Sequence, residues 1–334
     1  MAEYASAAVP INLIGRSPAF EDLVATIHRI AEFDVTVSIY GETGTGKELV
    51  ARSLHYLGRR CTGPFIPVNC GAIPDTLLES ELFGHKRGAF TDARQDRAGF
   101  VEQAQGGTLF LDEIEALSPK GQVTLLRFLQ DMQYRRVGGA SLRKANLRVI
   151  VASNIELDRL RRQSGAFRDD LFYRLNVLPI RIPSLRERVD DIAVLALHFF
   201  ERFKLQFDLP DKTLPKSTLH WLREQRWEGN VRELENSIQR GLLMSPASDV
   251  LPEHIEPELP AAGTNGNTTD FAAMQFNDAK TQAIAEFERC YLTGLLRRNA
   301  GNVTRAAASA GKERRALGKL LKKHAINPRE FRGA

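Results

Sequence analysis

The sequence predicts an α/β fold: a mostly parallel sheet with helices on both faces, then a smaller all-helical domain and a basic helical tail. Three observations carry that expectation. Short β-branched apolar runs alternate with helical stretches over the first half of the chain, the pattern of strand, crossover and parallel strand. The strand signal disappears from "RERVDD" onward, where helical periodicity takes over. A glycine-rich segment, "GETGTGKE", separates a strand from the helix that follows it.

The elements follow in order. After a lead of residues 1–11, "AFEDLVATIHRIAEF" carries apolar residues at helical spacing. "VTVSIY" is β-branched, ends at Gly41 and reads as a buried strand. "PFIPVN", "GTLFLDEI", "LRVIVASN" and "NVLPIRIP" are the further strands, so a sheet domain is expected over residues 12–182. Helices dominate from "RERVDDIAVLALHFFERF", giving a helical domain over 183–252. "EPELPAAGTNGNTTD" mixes Pro, Gly, Asn and Thr with few apolar residues and cannot bury a core, so 253–275 reads as a flexible linker. The last segment, 276–334, reads as one long helix over 277–298 and two short ones, "NVTRAAASAG" and "ERRALGKLLKKH".

Composition narrows the class. With 43% hydrophobic and 26% charged residues over 334, the chain can bury sizeable cores and is not disordered. No apolar run reaches the roughly 20 residues needed to cross a bilayer, and "MAEYASAAVP" lacks the basic and apolar regions of a signal peptide. Cys61, Cys70 and Cys290 have neither an even count nor metal-ligand spacing and read as reduced thiols. A cytoplasmic protein with no membrane partner is expected. The net charge of +5 is unevenly spread: residues 293–334 hold eleven Lys or Arg against two Glu, leaving −4 for the rest. An excess of that size on short helices favours nucleic acid as a partner.

"GETGTGKE", Gly41 to Glu48, has the strand-before, helix-after context of a phosphate-binding loop. Gly41, Glu42, Thr43, Gly44, Thr45 and Gly46 would turn backbone N–H groups onto phosphates, and Lys47 would add a point charge. Glu48 stands where such loops place a Ser or Thr magnesium ligand, so the loop cannot hold the metal in the ordinary way. "GGTLFLDEI" ends in two carboxylates at a strand's carboxyl end: Asp112 would hold Mg2+ through water and Glu113 would polarise the attacking water. Arg168 and Arg174 in "FRDDLFYRL" can compensate γ-phosphate charge, although spacing alone favours a solvated helix face. Asn154 can orient the attacking water and Asn69 can hold Glu113 until it is needed; both equally suit capping or turn positions.

In order along the chain, "GETGTGKELVARSLH", "PFIPVNCGAIPDTLLESELFGH", "GGTLFLDEI", "LRVIVASN", "FRDDLFYRLNVLPIRIPSLRER" and "GNVRELEN" resemble the signatures of the AAA+ activators of bacterial sigma-54 RNA polymerase. The likeness covers about residues 12–250 and returns in the tail. It implies an AAA+ P-loop ATPase with ATP and Mg2+ as cofactors and a homo-oligomeric ring, usually a hexamer. Glu48 after the lysine is normal in that family. The resemblance implies nucleotide and catalytic roles for Lys47, Asp112 and Glu113, a switch role for Asn69 and a first-sensor role for Asn154. It makes Arg168 and Arg174 arginine fingers acting in a neighbouring subunit, and Arg232 the second sensor on a helical lid.

"GAFTDA", Gly88, Ala89, Phe90, Thr91, Asp92 and Ala93, lies where the family carries "GAFTGA", the loop that touches the sigma factor. An exposed Phe90 beside Thr91 is costly for solubility and useful for gripping a partner. Asp92 departs from the family glycine, adding charge and bulk at a turn it can still form. Glu228 in "WEGN" stands where the family usually has Pro. Residues 134–149, with Gly138 and Gly139 as a turn, would be a companion pore loop whose arginines face DNA or water. "GNVTRAAASAGKERRALGKLLKKH" resembles a Fis-type helix-turn-helix with Gly311 at its turn, presenting Arg314, Arg315, Lys319, Lys322 and Lys323 to DNA. Lys312 and Gly318 depart from the usual apolar and aromatic residues there.

The resemblance therefore implies an ATP-dependent activator that binds double-stranded DNA upstream of promoters and opens complexes of sigma-54 RNA polymerase holoenzyme. A DNA-bound regulator that uses ATP for assembly without remodelling is the alternative, with Asp92 its one advocate. A replication initiator or helicase loader would share the ATPase elements but leaves "ELFGHKRGAFTDA" unexplained. Only about a dozen residues precede "INLIGRSPAF", so control is expected in trans, through a regulatory protein or expression level.

Overall fold

Five strands build one sheet, and their carboxyl ends form a single edge. The computed structural model describes residues 13–90, 93–164, 167–255 and, in the tail, 288–327 except 290, 294, 297–298, 300–301, 311–313 and 325. By its contacts the chain divides after Pro257 into two compact units, and each is described by itself.

In the first unit, α1 (Pro18–Ala31) leads to β1 (Val37–Tyr40), α2 (Lys47–Tyr56), β2 (Phe65–Asn69) and α3 (Leu78–Phe83). A small hairpin of β3 (Gly84–His85) and β4 (Arg97–Ala98) precedes α4 (Phe100–Gln103), β5 (Thr108–Asp112) and α5 (Pro119–Asp131). A second hairpin, β6 (Gln133–Tyr134) and β7 (Arg143–Lys144), leads to β8 (Arg148–Ser153), α6 (Leu157–Ser164), α7 (Asp169–Leu175) and β9 (Leu178–Arg181). The lid follows as α8 (Val189–Phe207), α9 (Lys216–Glu224), α10 (Asn230–Met244) and α11 (Pro252–Ile255).

The sheet order is β2-β5-β8-β1-β9 and every pairing is parallel. Because successive side chains point to opposite faces, each central strand feeds two cores. Leu109, Leu111, Val149 and Val151 pack with α3, α5 and α7, whereas Phe110, Ile150 and Ala152 pack with α1 and α2. Burying such a Leu, Ile or Phe is worth about 1.5–3 kcal/mol, so the near-continuous apolar strands of the sequence follow from a sheet covered on both faces. A third core, including Phe199, Phe200, Phe203, Trp227, Ile238 and Ile255, closes the lid.

Two buried polar groups staple these layers. Arg148, at the start of β8, donates to the carbonyls of Leu54 at 3.1 Å, Val35 at 3.2 Å and Ile30 at 3.3 Å, placing a cation at the C-terminal ends of α1 and α2. Asp191, in the first turn of α8, accepts from the N–H of Arg16 at 2.6 Å, the N–H of Ser17 at 2.7 Å and the Ser17 hydroxyl at 2.8 Å. Ser17 in turn caps α1, its hydroxyl accepting from the Phe20 N–H at 3.3 Å.

In the second unit, helices Val303–Ser309 and Arg314–Lys323 bury Ala306, Ala307, Leu317 and Leu321 against Leu292, Leu295 and Leu296. Most of the long helix expected over 277–298, and Cys290, lie outside the described residues. Among the described residues no helix is long and apolar enough to cross a membrane.

Candidate active site

The carboxyl edge of the sheet gathers residues far apart in sequence. Register places Asn69 opposite Asp112 and Tyr40 opposite Ser153, so Gly41 and Asn154 leave their strands side by side. The loop from Gly41 to Gly46 bridges β1 and α2, anchored where the Gly41 N–H donates to the Ser153 carbonyl at 3.2 Å. Lys47 opens α2 and is buried. Its ammonium donates to Asn154 Oδ1 at 2.7 Å, to the Gly41 carbonyl at 2.9 Å and to the Glu42 carbonyl at 3.2 Å. Burial lowers its pKa, opposed by Asp112, Glu115 and Glu113.

Asn154 also accepts from the Thr43 hydroxyl at 3.1 Å, and its N–H donates to Glu115 Oε1 at 2.9 Å. The Thr45 hydroxyl turns back to the Glu42 carbonyl at 2.8 Å. Glu48 pairs with Arg52 on the surface of α2 at 2.6 Å.

Three carboxylates cluster at the end of β5. Burial pushes the pKa of Asp112 up, in spite of the hydrogen bond from the Glu113 N–H at 2.9 Å and the charge of Lys47. Glu113 has φ +54°, a left-handed turn that carries its side chain out of the strand direction. Burial and these same carboxylates push the neighbouring Cys70 thiol up to about 12. Glu115 Oε2 is buried without a hydrogen-bond partner among the described residues.

Asn69 Oδ1 accepts from the N–H groups of Gly71 at 2.8 Å and Ala72 at 3.1 Å, capping the turn after β2. A Cβ built on Gly71 would lie 2.8 Å from Glu113 Oε2 and 3.3 Å from Asn69 Oδ1, so glycine there leaves room for Glu113 beside Asn69.

The arginines occupy separate places. Arg168 precedes α7, is exposed and pairs with Asp170 at 2.8 Å. Arg174 donates to the carbonyls of Leu129 at 2.9 Å and Gln130 at 3.0 Å, at the C-terminal end of α5. Arg232, in the first turn of α10, has its Cβ against Gly44 of the glycine-rich loop. Glu42 pairs with Arg186, which holds its carboxyl below the usual carboxylate range.

The exposed loop rises from the β3–β4 hairpin. Phe90 is 39% exposed, its ring edge-on to His85 at 4.9 Å, and Ala93 is buried. The Gly88 N–H donates to the Ala93 carbonyl at 2.8 Å, closing the base of the loop. Thr91 and Asp92 lie outside the described residues. The neighbouring loop is bound to this one: the Lys86 N–H donates to the Val137 carbonyl at 2.9 Å and Gly138 packs on Ala89. Arg135 is exposed, Arg136 is held by Glu102 at 2.7 Å, and Arg143, still open to solvent, reaches the same carboxylate at 3.0 Å.

Residues 13–181 match the Sigma-54 interaction domain family, and residues 186–271 the AAA+ ATPase lid domain. The chain belongs to the sigma-54 activator family. The DNA-binding transcriptional regulator NtrC of Bradyrhizobium sp. (strain RP501 Parasponia) is 43% identical, over 93% of this chain and 69% of that protein. The regulatory protein AtoC of Escherichia coli (strain K12) is 39% identical, over 95% of this chain and 68% of that protein. Among solved structures, NtrX from Brucella abortus in complex with ATP superimposes with a TM-score of 0.69 at 32% identity, over 94% of this chain and 69% of that one.

As a sigma-54 activator the chain is an ATPase that drives sigma-54-dependent transcription. In this family member Arg314, Arg315, Lys319, Lys322 and Lys323 all line the exposed side of the last helix. Lys323 and His324 both reach Glu288 at 2.7 Å, while Gly311 and Lys312 lie outside the described residues. Sequence reasoning missed Glu115, Arg186 and Asn230. Glu115 follows the "DE" pair by two residues, whereas Arg186 and Asn230 lie inside "IPSLRER" and "GNVRELEN", where nothing in the local pattern points to a distant glycine-rich loop.

Proposed function

We propose that this activator binds double-stranded DNA upstream of its promoters through the tail and opens the closed complex of sigma-54 RNA polymerase holoenzyme with the Gly88–Ala93 loop. ATP hydrolysis in a homo-oligomeric ring, six subunits by resemblance, drives the loop. The observation that carries this reading is one sheet edge shared by a glycine-rich loop, Lys47, Asn154, Asn69 and the Asp112–Glu113 pair. Domain limits follow the sequence for ATPase 12–182, a lid from 183 and DNA-binding segment 276–334, but the linker expected over 253–275 starts later, because α11 carries Ile255 into the lid core.

In the proposed mechanism the N–H groups of the loop through Gly46 receive the phosphates at the N-terminus of α2. Lys47 exchanges the Asn154 amide for a phosphate oxygen, which frees Asn154 to orient water. Glu113 takes a proton from that water, and Asn69 restrains Glu113 until nucleotide is bound. Arg168 leaves Asp170, and Arg174 the α5 carbonyls, to reach the γ-phosphate held by the adjacent subunit. Arg232 reads the phosphates from the lid.

Mg2+ fits the donor set in one mode. Among the described residues no three His, Cys, Asp or Glu converge as a metal cage, yet Asp112 and the unpartnered Glu115 oxygen lie on this edge. That suits an ion that keeps waters and binds through one or two carboxylates plus phosphates, where it would neutralise charge on the β and γ oxygens. Phe90, half out of the surface on a hairpin base, is the grip on the sigma factor.

The test is open-complex formation on a sigma-54 promoter with purified protein, polymerase and ATP, native chain against Asp92→Gly. Opening by the native chain is expected. Opening by Asp92→Gly alone would refute remodelling by the native loop and leave a DNA-bound regulator that uses ATP for assembly.

A further inference from the structure

Two buried side chains of the lid reach the phosphate loop: Arg188, which donates to the Thr45 carbonyl at 3.4 Å, and Asn230, which makes the shorter and more numerous contacts. Asn230 opens α10, is fully buried, and has φ +54°, a left-handed backbone that asparagine adopts more readily than most residues. Its carboxamide works in two directions. Oδ1 accepts from the Leu185 N–H at 2.8 Å. Nδ2 donates to the Thr43 carbonyl at 3.1 Å, Glu42 Oε2 at 3.2 Å and the Glu228 carbonyl at 3.3 Å. A donor on one side and acceptors on the other leave only one orientation of the amide that satisfies both.

The backbone beside it continues the same contact. The N–H groups of Val231 and Arg232 donate to the Gly44 carbonyl at 3.0 Å and 3.3 Å. Glu42, Thr43 and Gly44 are thus all bound by the lid, with Arg186 adding its ion pair to Glu42. Peptide units are planar and trans, so a carbonyl aimed at the lid aims the N–H of the next residue away from it. Fixing the Thr43 and Gly44 carbonyls therefore fixes the N–H directions of Gly44 and Thr45, the latter of which donates within the loop to the Glu42 carbonyl at 3.3 Å.

We propose that Asn230 is a positioning residue for nucleotide: its buried carboxamide ties the phosphate loop to the lid and so orients the loop amides that receive the phosphates. The inference rests on the reading that the Gly41–Lys47 loop holds ATP. Such amides contact phosphate in ground and transition states alike, so their disorder appears in affinity rather than in turnover.

The experiment measures KM for ATP by steady-state hydrolysis and Kd for ADP by calorimetry on the full chain. Asn230→Ala should raise both by about tenfold while kcat stays within about threefold. Asn230→Asp, near-isosteric and usable should alanine unfold the lid, keeps the acceptor for Leu185 but sets an oxygen against Glu42 and the Thr43 carbonyl. It should weaken ADP binding more than alanine does. Adding Glu42→Gln to Asn230→Asp restores a donor across the same contact and should recover affinity. A merely structural Asn230 would lower Tm without moving KM or Kd.

KM and Kd within about twofold of native in Asn230→Ala, or no recovery in the double variant, overturns the proposal. Lys47→Ala separates the two readings. If it still binds ADP normally, the phosphate-loop reading fails; if it loses ADP while Asn230→Ala does not, only the role of Asn230 fails.

Discussion

Gly44→Ala tests how tightly the phosphate loop and lid are fitted. A Cβ at this position would lie 2.2 Å from the Gly229 carbonyl oxygen, backbone against backbone, where no side chain can swing aside. Gly44 also has φ +79°, and a non-glycine residue there costs about 1–2 kcal/mol. Relieving the clash needs a shift of about 1 Å, which breaks the two hydrogen bonds from Val231 and Arg232, worth about 0.5–1.5 kcal/mol each. The total is roughly 2–5 kcal/mol, or a fall in Tm of about 5–15 °C for a domain of this size.

Gly106→Ala is the internal control, because Gly106 has φ +77° with no atom within 4 Å of its built Cβ and so carries the backbone term alone. Scanning calorimetry of both variants, with ADP affinity measured alongside, isolates the contact. Equal losses of Tm in the two variants, with ADP affinity unchanged in Gly44→Ala, would refute the claim that the lid seats directly on the loop.

Three further outcomes are expected. Arg148→Met removes a buried guanidinium that donates to the Val35, Leu54 and Ile30 carbonyls and should cost about 3–5 kcal/mol in denaturant unfolding; a loss below 1 kcal/mol would show that water replaces the guanidinium. Because burial raises the Asp112 pKa above 3.8, the stability tied to its proton is present below 3.8 and is lost as pH rises through the raised value. Asp112→Asn should therefore abolish hydrolysis yet raise Tm at pH 7, with the gain shrinking toward pH 4; a lower Tm at pH 7 would contradict this. With its thiol pushed up to about 12, Cys70 should resist iodoacetamide at pH 8 in the folded chain while exposed Cys61 reacts, as peptide mass spectrometry can report.

The layered part of this molecule was legible because it depends on local pattern. β-branched runs such as "VTVSIY" and "LRVIVASN" became central strands, since a strand covered on both faces must be apolar throughout. The glycine-rich loop and the paired carboxylates were legible because phosphate chemistry requires a fixed spacing next to a strand end. What stayed hidden spans long separations: Asn230 meets Glu42 across 188 residues and Ser17 meets Asp191 across 174. Such pairings depend on how the lid is set on the sheet, which no local period encodes. Arg174 is a related case. Six residues after Arg168 it suggested a solvated face, yet its guanidinium sits on the end of a helix that begins 55 residues earlier.

The three hydrogen bonds to Asp191 change what the start of this fold is attached to. Helix α1 packs along the sheet, while Arg16 and the capping Ser17 just ahead of it are held by the first turn of α8; before them Leu13 packs on the sheet core and Ile14 on the lid core. The segment ahead of α1 thus bridges the two cores, tied to the lid by hydrogen bonds and to the sheet by apolar packing. The same helix then continues that tie along the flank of the sheet, in the manner of a strut joining a cover to its frame.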